Sequence, residues 1–325
     1  MKTRMLTRSE VERLATMEVA VSSVERAFAA FGRGEASMPP KVYLPIPDHD
    51  GDFRAMPSRL GASAGIKWVN VHAQNRKRFG LPTVMAVYVL SDPANAFPLA
   101  VMDGTLLTAL RTGAAAAVAS KYLAQPSPKT IGFIGCGVQA HTLHGTHQVV
   151  FDDFESLAYD RNDSTAAAFA ERVGARAVTL EEAAAADIVC TATPSRTPFV
   201  EAKWIRPGAH INAMGADAPG KQELATDLLQ SSAVYIDDIH QATGSGEINV
   251  PLGAGDIELS QVAGTLGEVV AGLAPKPGVS TTTIFDSTGL AIQDLALARA
   301  VFEAAQRQSI GREIDLLGLD AAMSD

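Results

Sequence analysis

Apolar residues along this chain change their spacing several times, and the changes mark out its elements. Over residues 7–31 they recur at helical spacing, with Leu14, Met17, Val21, Val24, Phe28 and Phe31 on one face and Thr7 or Ser9 placed to cap. That pattern predicts a single helix. A stretch bearing Pro and Gly follows over 34–51. Short strands are expected at 41–45 and 53–57, flanking a turn at 48–52. Residues 65–72 and 83–90 are richer in Val and aromatic side chains and predict stronger strands, linked by the polar stretch 74–80. Residues 106–123 then read as an Ala-rich helix.

Past Pro126-Ser127-Pro128 the pattern becomes a regular alternation. An apolar run at 130–135 is followed by a helical stretch at 139–150, a run ending in an acid at 156–160, and a second helical stretch at 164–173. Further short apolar runs lie at 176–180, 187–193, 210–215, 233–238 and 281–286. Strands alternating with helices at this pitch predict a parallel sheet covered on both faces. Residues 241–278 are rich in Gly and turn formers. Residues 289–306 close the pattern as an amphipathic helix, with Ala291, Leu295, Ala298, Phe302 and Ala305 on one face.

Composition narrows the class. The length, 325 residues, suggests about two domains. With 47% apolar and 19% charged residues, a largely disordered chain is excluded. A formal charge of −9 argues against a general nucleic-acid or membrane-surface binder, since both of those surfaces are anionic. Two cysteines, Cys136 and Cys190, exclude a disulfide scaffold and make a poor zinc site, so no metal is expected and the compartment is read as the reducing cytoplasm. No run approaches ~18 apolar residues, and residues 1–13 lack the apolar core of a signal peptide.

The first candidate chemistry is Gly135-Cys136-Gly137-Val138-Gln139-Ala140, which fits G-x-G-x-x-A. Gly135 permits the tight turn, Gly137 lets backbone approach a pyrophosphate, and Ala140 lets the helix pack close to the strand. The motif follows a predicted strand and opens a predicted helix. An acid, Asp160, ends the next strand, where a carboxylate can accept from an adenosine ribose and repel a 2′-phosphate. Arg161 beside it could hold that phosphate, so NAD is favoured over NADP without excluding it. Small residues at later strand ends, Thr191 and Thr193 in one and Asn212 and Met214 in another, are placed where ligands sit in such sheets. The fold expected from this pattern is α/β, with a Rossmann-type doubly wound parallel sheet over 124–289.

The first third of an acidic chain carries several cations: Lys41, Arg54, Arg59, Lys67 and Arg111. A lysine inside the apolar run Gly65-Ile66-Lys67-Trp68-Val69-Asn70 must face water at a sheet edge, find a counter-ion or lose its proton. Arg111, toward the front of the Ala-rich helix, is either a surface side chain or is bound to an anion. Together with a dinucleotide domain, such a cluster suggests a substrate carboxylate. His141, His144 and His147 are read as a solvated or interface face of their helix rather than metal ligands. Cys136 is read as a variable loop position rather than a catalytic thiol, and Cys190 as a small buried strand residue. The Ser245-Gly246-Glu247 turn either approaches the cofactor or merely reverses the chain.

These stretches together resemble the ornithine cyclodeaminase and mu-crystallin family from about Lys41 to Ala305. The resemblance is carried by Arg54-Ala55-Met56-Pro57, Gly65-Ile66-Lys67-Trp68-Val69-Asn70, Gly80-Leu81-Pro82-Thr83 and Ala109-Leu110-Arg111-Thr112-Gly113-Ala114. It continues through the nucleotide loop, Gly215-Ala216-Asp217-Ala218-Pro219-Gly220-Lys221-Gln222-Glu223-Leu224, Phe285-Asp286-Ser287-Thr288-Gly289 and Gln293-Asp294. It implies an NAD(P)-dependent oxidation or reduction at the α-carbon of an amino or imino acid. Lys41 and Lys67 would hold the substrate carboxylate or polarise the imine. Thr83, Arg111 and Thr112 would lie near cofactor or substrate, Asp217 would move protons, Lys221 would sit by the cofactor, and Gly289 would wall the pocket. It further implies a homodimer, and a mixed α/β substrate and dimerisation domain built from 1–123 together with 290–325. Where the family's cyclodeaminases carry a carboxylate two positions before the Met-Pro pair, this chain has Arg54. That favours a small amino acid over one with an ω-ammonium group. Alanine oxidation is the leading reading, ahead of ornithine cyclodeamination and of nucleotide binding without catalysis.

Overall fold

The computed structural model describes residues 1–319. Residues 320–325, the end of the segment assigned to the first domain, lie outside the described residues. The chain divides into two compact units, each taken in turn. The first comprises Met1–Ala27, Gly34–Arg111 and, among the described residues, 291–319; the second comprises Phe28–Arg33 and Thr112–Leu290.

The first unit is built on an eight-stranded mixed sheet. Its spatial order runs Arg312–Ile314, Thr3–Leu6, Pro98–Asp103, Val84–Ser91, Ser63–His72, Gly51–Leu60 and Ala36–Ser37, with Val42–Ile46 also paired to Gly51–Leu60. Thr3–Leu6 runs parallel to Pro98–Asp103, and the other pairs are antiparallel. Alternation sorts the two faces. Lys67 lies opposite Met56 and Tyr88 on a face covered by the helix Ala291–Gln308. On the same face Met56, Val69, Ala86 and Ala291 form a buried cluster. The other face leaves Val42, Leu44, Trp68 and Val87 exposed, with Phe53 stacked on Trp68.

Several elements differ from the sequence pattern. The helix predicted over 7–31 is two helices, Arg8–Leu14 and Met17–Gly32. Ala15 takes a non-helical conformation, and the Thr16 hydroxyl accepts from Val19 N–H, offering the chain a fresh start. The first of these begins at Thr7, whose N–H and hydroxyl both reach the Glu10 carboxylate. The polar link at 74–80 contains a short helix, Asn75–Phe79, stopped by Gly80 at φ +67°.

The second unit is an eight-stranded sheet in which every pairing is parallel. The order is Arg176–Ala177, Glu155–Tyr159, Thr130–Ile134, Ile188–Thr191, His210–Ala213, Thr283–Asp286, Ala233–Ile236 and Val262–Thr265. Order reverses between Thr130–Ile134 and Ile188–Thr191, so the fingerprint loop leaves the sheet at its switch point, where such sheets bind ligands. The central strands are apolar and fully covered, as burial on both faces requires. The α/β assignment with a Rossmann-type sheet stands. Of the run at 176–180 only Arg176–Ala177 is strand, because Thr179 caps a helix at Leu180–Ala184. The turn-rich stretch at 241–278 holds short helices and the edge strand Val262–Thr265.

The face carrying His141, His144 and His147, expected to be solvated or at an interface, is not a solvated one at its last two positions. His144 and His147 are buried, because the helix Val138–Val150 turns that face onto the sheet. Both rings pack against Phe133, and His147 Nε2 lies 2.9 Å from Ser120 Oγ. From Ser120 the network continues to Asn212 Nδ2, and Asn212 Oδ1 pairs with His210. Burial pushes His147 down to about 4 and His210 to about 3, so both are neutral at pH 7.

Candidate active site

In the second unit the fingerprint loop has the conformation its glycines predict. Gly135 sits at φ +91°, and a Cβ there would lie 2.8 Å from the Ala192 carbonyl oxygen. Gly137 precedes the helix Val138–Val150, and a Cβ on it would meet nothing within 4 Å. That opening beside the unpaired N–H groups of the helix is what a pyrophosphate needs. The Asp160 carboxylate accepts from Cys136 N–H and Asn162 N–H, both at 2.9 Å, and is thereby fixed beside the loop. Arg161 and Val138 are exposed, and Gln139 stays within its own helix turn through Thr142. Burial, with Asp160 adding to it, pushes the Cys136 thiol up to about 12, so it is not a nucleophile at neutral pH.

The next strand ends converge on a residue the sequence did not single out. Glu223 is fully buried. Its Oε2 accepts from Thr191 Oγ1 at 2.6 Å and Gly215 N–H at 2.9 Å. Its Oε1 accepts from Thr193 N–H and Oγ1, each at 2.7 Å. Thr191 and Thr193 therefore direct their hydroxyls to this carboxylate, while Asn212 is buried and Met214 nearly so. Further carboxylates repeat the theme. Glu247 Oε1 accepts from Glu223 and Leu224 N–H, Asp286 accepts from Glu247 and Ile248 N–H, and Asp237 accepts from Thr288 and Gly289 N–H. Burial raises Glu223, raises Glu247 well above the usual range, and lifts Asp286 to about 7. The legible signal was an acid closing an apolar run, as at Asp286; Glu247 stood in a turn marked as a candidate, and it holds Glu223 and Leu224 rather than the chain reversal alone, while Glu223 carries no such signal.

Between Gly215 and Glu223 lies the loop with Asp217 and Lys221. Lys221 Nζ meets Asp217 Oδ1 at 2.5 Å, and both side chains are partly exposed. Asn249 ties the loop from outside, donating to Lys221 O and accepting from Gly220 N–H. Asp217 is thus a partly exposed carboxylate paired with an ammonium group. Gly289, at φ +82°, follows Thr288 on the loop that Asp237 holds.

In the first unit two of the predicted cations share one acid. Lys67 sits on an interior strand, not an edge, and its Nζ lies 2.7 Å from Asp294 Oδ2 with both side chains essentially inaccessible. Arg111 Nε lies 3.4 Å from Asp294 Oδ1, short of hydrogen-bond geometry, and its Nη1 donates to Gln293 Oε1. Burial pulls the Lys67 ammonium down to about 7; Asp294 opposes the drop, and the charges of Arg111 and Lys41 add to it. Arg54 is brought to a different acid. Its Nε and Nη2 take the two oxygens of Asp52 at 2.8 and 3.0 Å, and its guanidinium lies over the Tyr43 ring. Lys41 and Thr83 are half-buried, and Thr83 O accepts from His72 N–H. Thr112, in the second unit, is buried. A cavity of about 480 Å³ lined by His144, Asp153, Phe154, Glu155 and Arg176 holds none of the predicted site residues. Among the described residues no group of His, Cys, Asp and Glu has the arrangement of a metal site, and no helix is long and apolar enough to cross a membrane.

Comparison with known proteins gives this geometry its context. The sequence profile of the ornithine cyclodeaminase/mu-crystallin family matches residues 1–309. The chain is similar to an alanine dehydrogenase of Archaeoglobus fulgidus, 47% identical over 320 residues, covering 97% of this chain and 98% of the relative. Among solved structures it resembles an archaeal alanine dehydrogenase dimer with bound NAD, at TM-score 0.93 and 48% identity over 98% of this chain and 100% of the other. It also resembles the Delta(1)-pyrroline-2-carboxylate reductase of Thermococcus litoralis in complex with NADH and L-proline, at TM-score 0.91 and 35% identity over 96% and 100%.

Proposed function

The chain belongs to the ornithine cyclodeaminase/mu-crystallin family, and from that premise we propose that it is an NAD-dependent oxidoreductase acting at the α-carbon of a small amino acid, converting alanine to pyruvate and ammonia. The observation that carries the choice of substrate is Arg54. It stands where the family's cyclodeaminases have a carboxylate for an ω-amine, and it takes both oxygens of the neighbouring Asp52. A guanidinium locked to an acid offers an ω-ammonium group no anion to bind.

NAD, when bound, supplies the hydride acceptor. The residues present fit it: backbone at Gly135, Gly137, Val138 and Gln139 for the pyrophosphate, and Asp160 for the ribose hydroxyls, where a carboxylate disfavours a 2′-phosphate. Thr191, Thr193, Asn212 and Met214 shape the strand ends, and Thr83, Thr112 and Lys221 are assigned to cofactor contact on the family pattern. Lys67 and Arg111, with Lys41, take the substrate carboxylate, and Gly289 contributes wall. Hydride loss from Cα leaves an iminium ion; water adds to it and ammonia leaves. Asp217 accepts the proton of the attacking water and returns one to the departing amine, with Lys221 holding its carboxylate in place.

The exposed strip of Val42, Leu44, Trp68 and Val87 supports a homodimer through the first unit, and the dimeric archaeal relative supports the same state. Two free, buried thiols fit a reducing cytoplasm.

The test is NAD reduction by L-alanine, and NADH oxidation by pyruvate with ammonium, each repeated with NADP(H) and with a panel of amino and keto acids. Turnover with alanine and a preference for NAD of about tenfold or more is expected. Proline and ammonia released from ornithine with only catalytic NAD would replace this reading by cyclodeamination. Tight NAD binding without turnover on any substrate would leave a binding protein. Asp217→Asn should lower kcat by about 10²-fold or more while NAD affinity stays within about twofold.

A further inference from the structure

We propose that Glu223 is a positioning residue for Asp217: its buried carboxylate staples the two ends of the loop that carries Asp217 and Lys221 and so fixes where the proton-transfer group stands. The inference rests on the role assigned to Asp217 above, and its test separates the two.

The loop leaves the strand His210–Ala213 at Gly215 and ends at Glu223 itself. Glu223 accepts from Gly215 N–H across eight residues of chain, so one side chain closes the loop at its base. The same carboxylate holds Thr191 and Thr193, at and just past the end of the neighbouring strand Ile188–Thr191. Each of its oxygens receives two donors, and the side chain is fully buried. Gly215 is needed for this approach, since a Cβ there would stand 2.5 Å from the Glu223 carboxyl carbon. Behind the staple, Glu247 holds Glu223 N–H at 2.6 Å, and Asp286, ending the strand Thr283–Asp286, holds Glu247 N–H at 2.7 Å. The loop base is therefore fixed to three strand ends. Asp217, whose N–H donates to Gly215 O, stands two residues from the stapled point. Burial raises the Glu223 carboxyl, and its four donors oppose the rise.

Glu223→Gln is the matched probe. It keeps the volume but offers one acceptor oxygen and an amide N–H₂, which must face either Gly215 N–H or Thr193 N–H, so one anchor is lost without a cavity. In the full-length protein, amide hydrogen exchange over 215–222 should quicken by about tenfold or more, with the strands unchanged. Thr191→Val, which removes a single donor, should act in the same direction by less, and serves if the Gln variant does not fold. With NAD and alanine, Glu223→Gln should lower kcat by about tenfold or more and should add nothing in an Asp217→Asn background, because both changes act on one group. Equal loss in both backgrounds, or unchanged exchange in the loop, overturns the proposal. If Asp217→Asn alone leaves turnover intact, the reading of Asp217 falls, and the exchange result by itself decides for or against the hold of Glu223 on the loop.

Discussion

Lys67 and Arg111 in the first unit face one buried acid, Asp294, with Arg111 donating to Gln293, whereas Glu223, Glu247, Asp286 and Asp237 in the second all take backbone N–H groups, Glu223 and Asp237 with threonine hydroxyls besides. The two arrangements satisfy charge differently. A carboxylate surrounded by main-chain donors is served by groups that cannot leave, so its capacity is spent on holding segments together. Where Lys67 is protonated, two cations face one anion in a desolvated place, an arrangement that favours a second anion such as the substrate carboxylate we propose. The substrate carboxylate we propose asks for the second arrangement, and the proton-transfer role we propose for Asp217 asks for the first.

The largest effect expected from this contrast follows from removing the shared acid. Asp294→Ala strips the counter-charge from two buried cations and should cost about 3–5 kcal/mol of stability, together with turnover. Urea denaturation measures it. A loss under about 1 kcal/mol would mean that Lys67 is neutral in the folded protein and that the cation pair is a misreading.

Ionisation gives a second, opposite-signed test. Lys67 is depressed to about 7, so between that value and its ordinary one near 10.5 the unfolded chain holds a proton that the folded chain lacks. Its contribution is fully present above the ordinary value and is lost as pH falls through about 7. Asp286 is raised to about 7, so its contribution is fully present below about 4 and is lost as pH rises through 7. Each carries a slope of up to about 1.4 kcal/mol per pH unit. Lys67→Met should flatten the stability profile on the alkaline side and Asp286→Asn on the acid side. Thermal melts from pH 4 to 10 read both, and the same change in slope for the two variants would erase the distinction between the regions.

How much of this was legible in the sequence depends on whether a feature is local. The fingerprint loop was readable because strand, glycines, helix and Asp160 fall within one stretch of chain. The parallel sheet was readable because strands buried on both faces become short apolar runs. Lys67 was legible as a problem, a cation in an apolar strand. Its answer was not, because Asp294 lies 227 positions away on the helix Ala291–Gln308. Glu223 and Glu247 bind backbone amides of other segments, and a backbone amide leaves no mark in the residue pattern. His144 and His147 were misread because imidazole looks polar by type, whereas here the rings are neutral and packed on Phe133. Likewise the single helix expected over 7–31 follows from an apolar stripe that continues unbroken, while the break at Ala15 rests on a local competition at Thr16.

The smallest effect is the one that most sharply defines the carboxylate side of the comparison. Only one oxygen of Glu247 is engaged: Oε1 takes both N–H groups, and Oε2 is buried without a hydrogen-bond partner. Burial, with Glu223 and Asp286 nearby, holds the group well above the usual carboxylate range. That shift favours the protonated form of Glu247 in the fold, and an amide imitates a protonated acid. Glu247→Gln should keep Oε1 as the shared acceptor, remove a proton that must otherwise be taken up on folding, and change stability at pH 7 by less than about 1 kcal/mol, with a small gain at pH 8 to 9. Glu247→Ala, which removes the acceptor from two buried N–H groups, should cost about 2 kcal/mol or more. Denaturation of both variants at pH 7 and 9 decides. If the Gln variant falls with the Ala variant, Glu247 is ionised in the fold, and the second unit keeps a charge in its interior much as the first does.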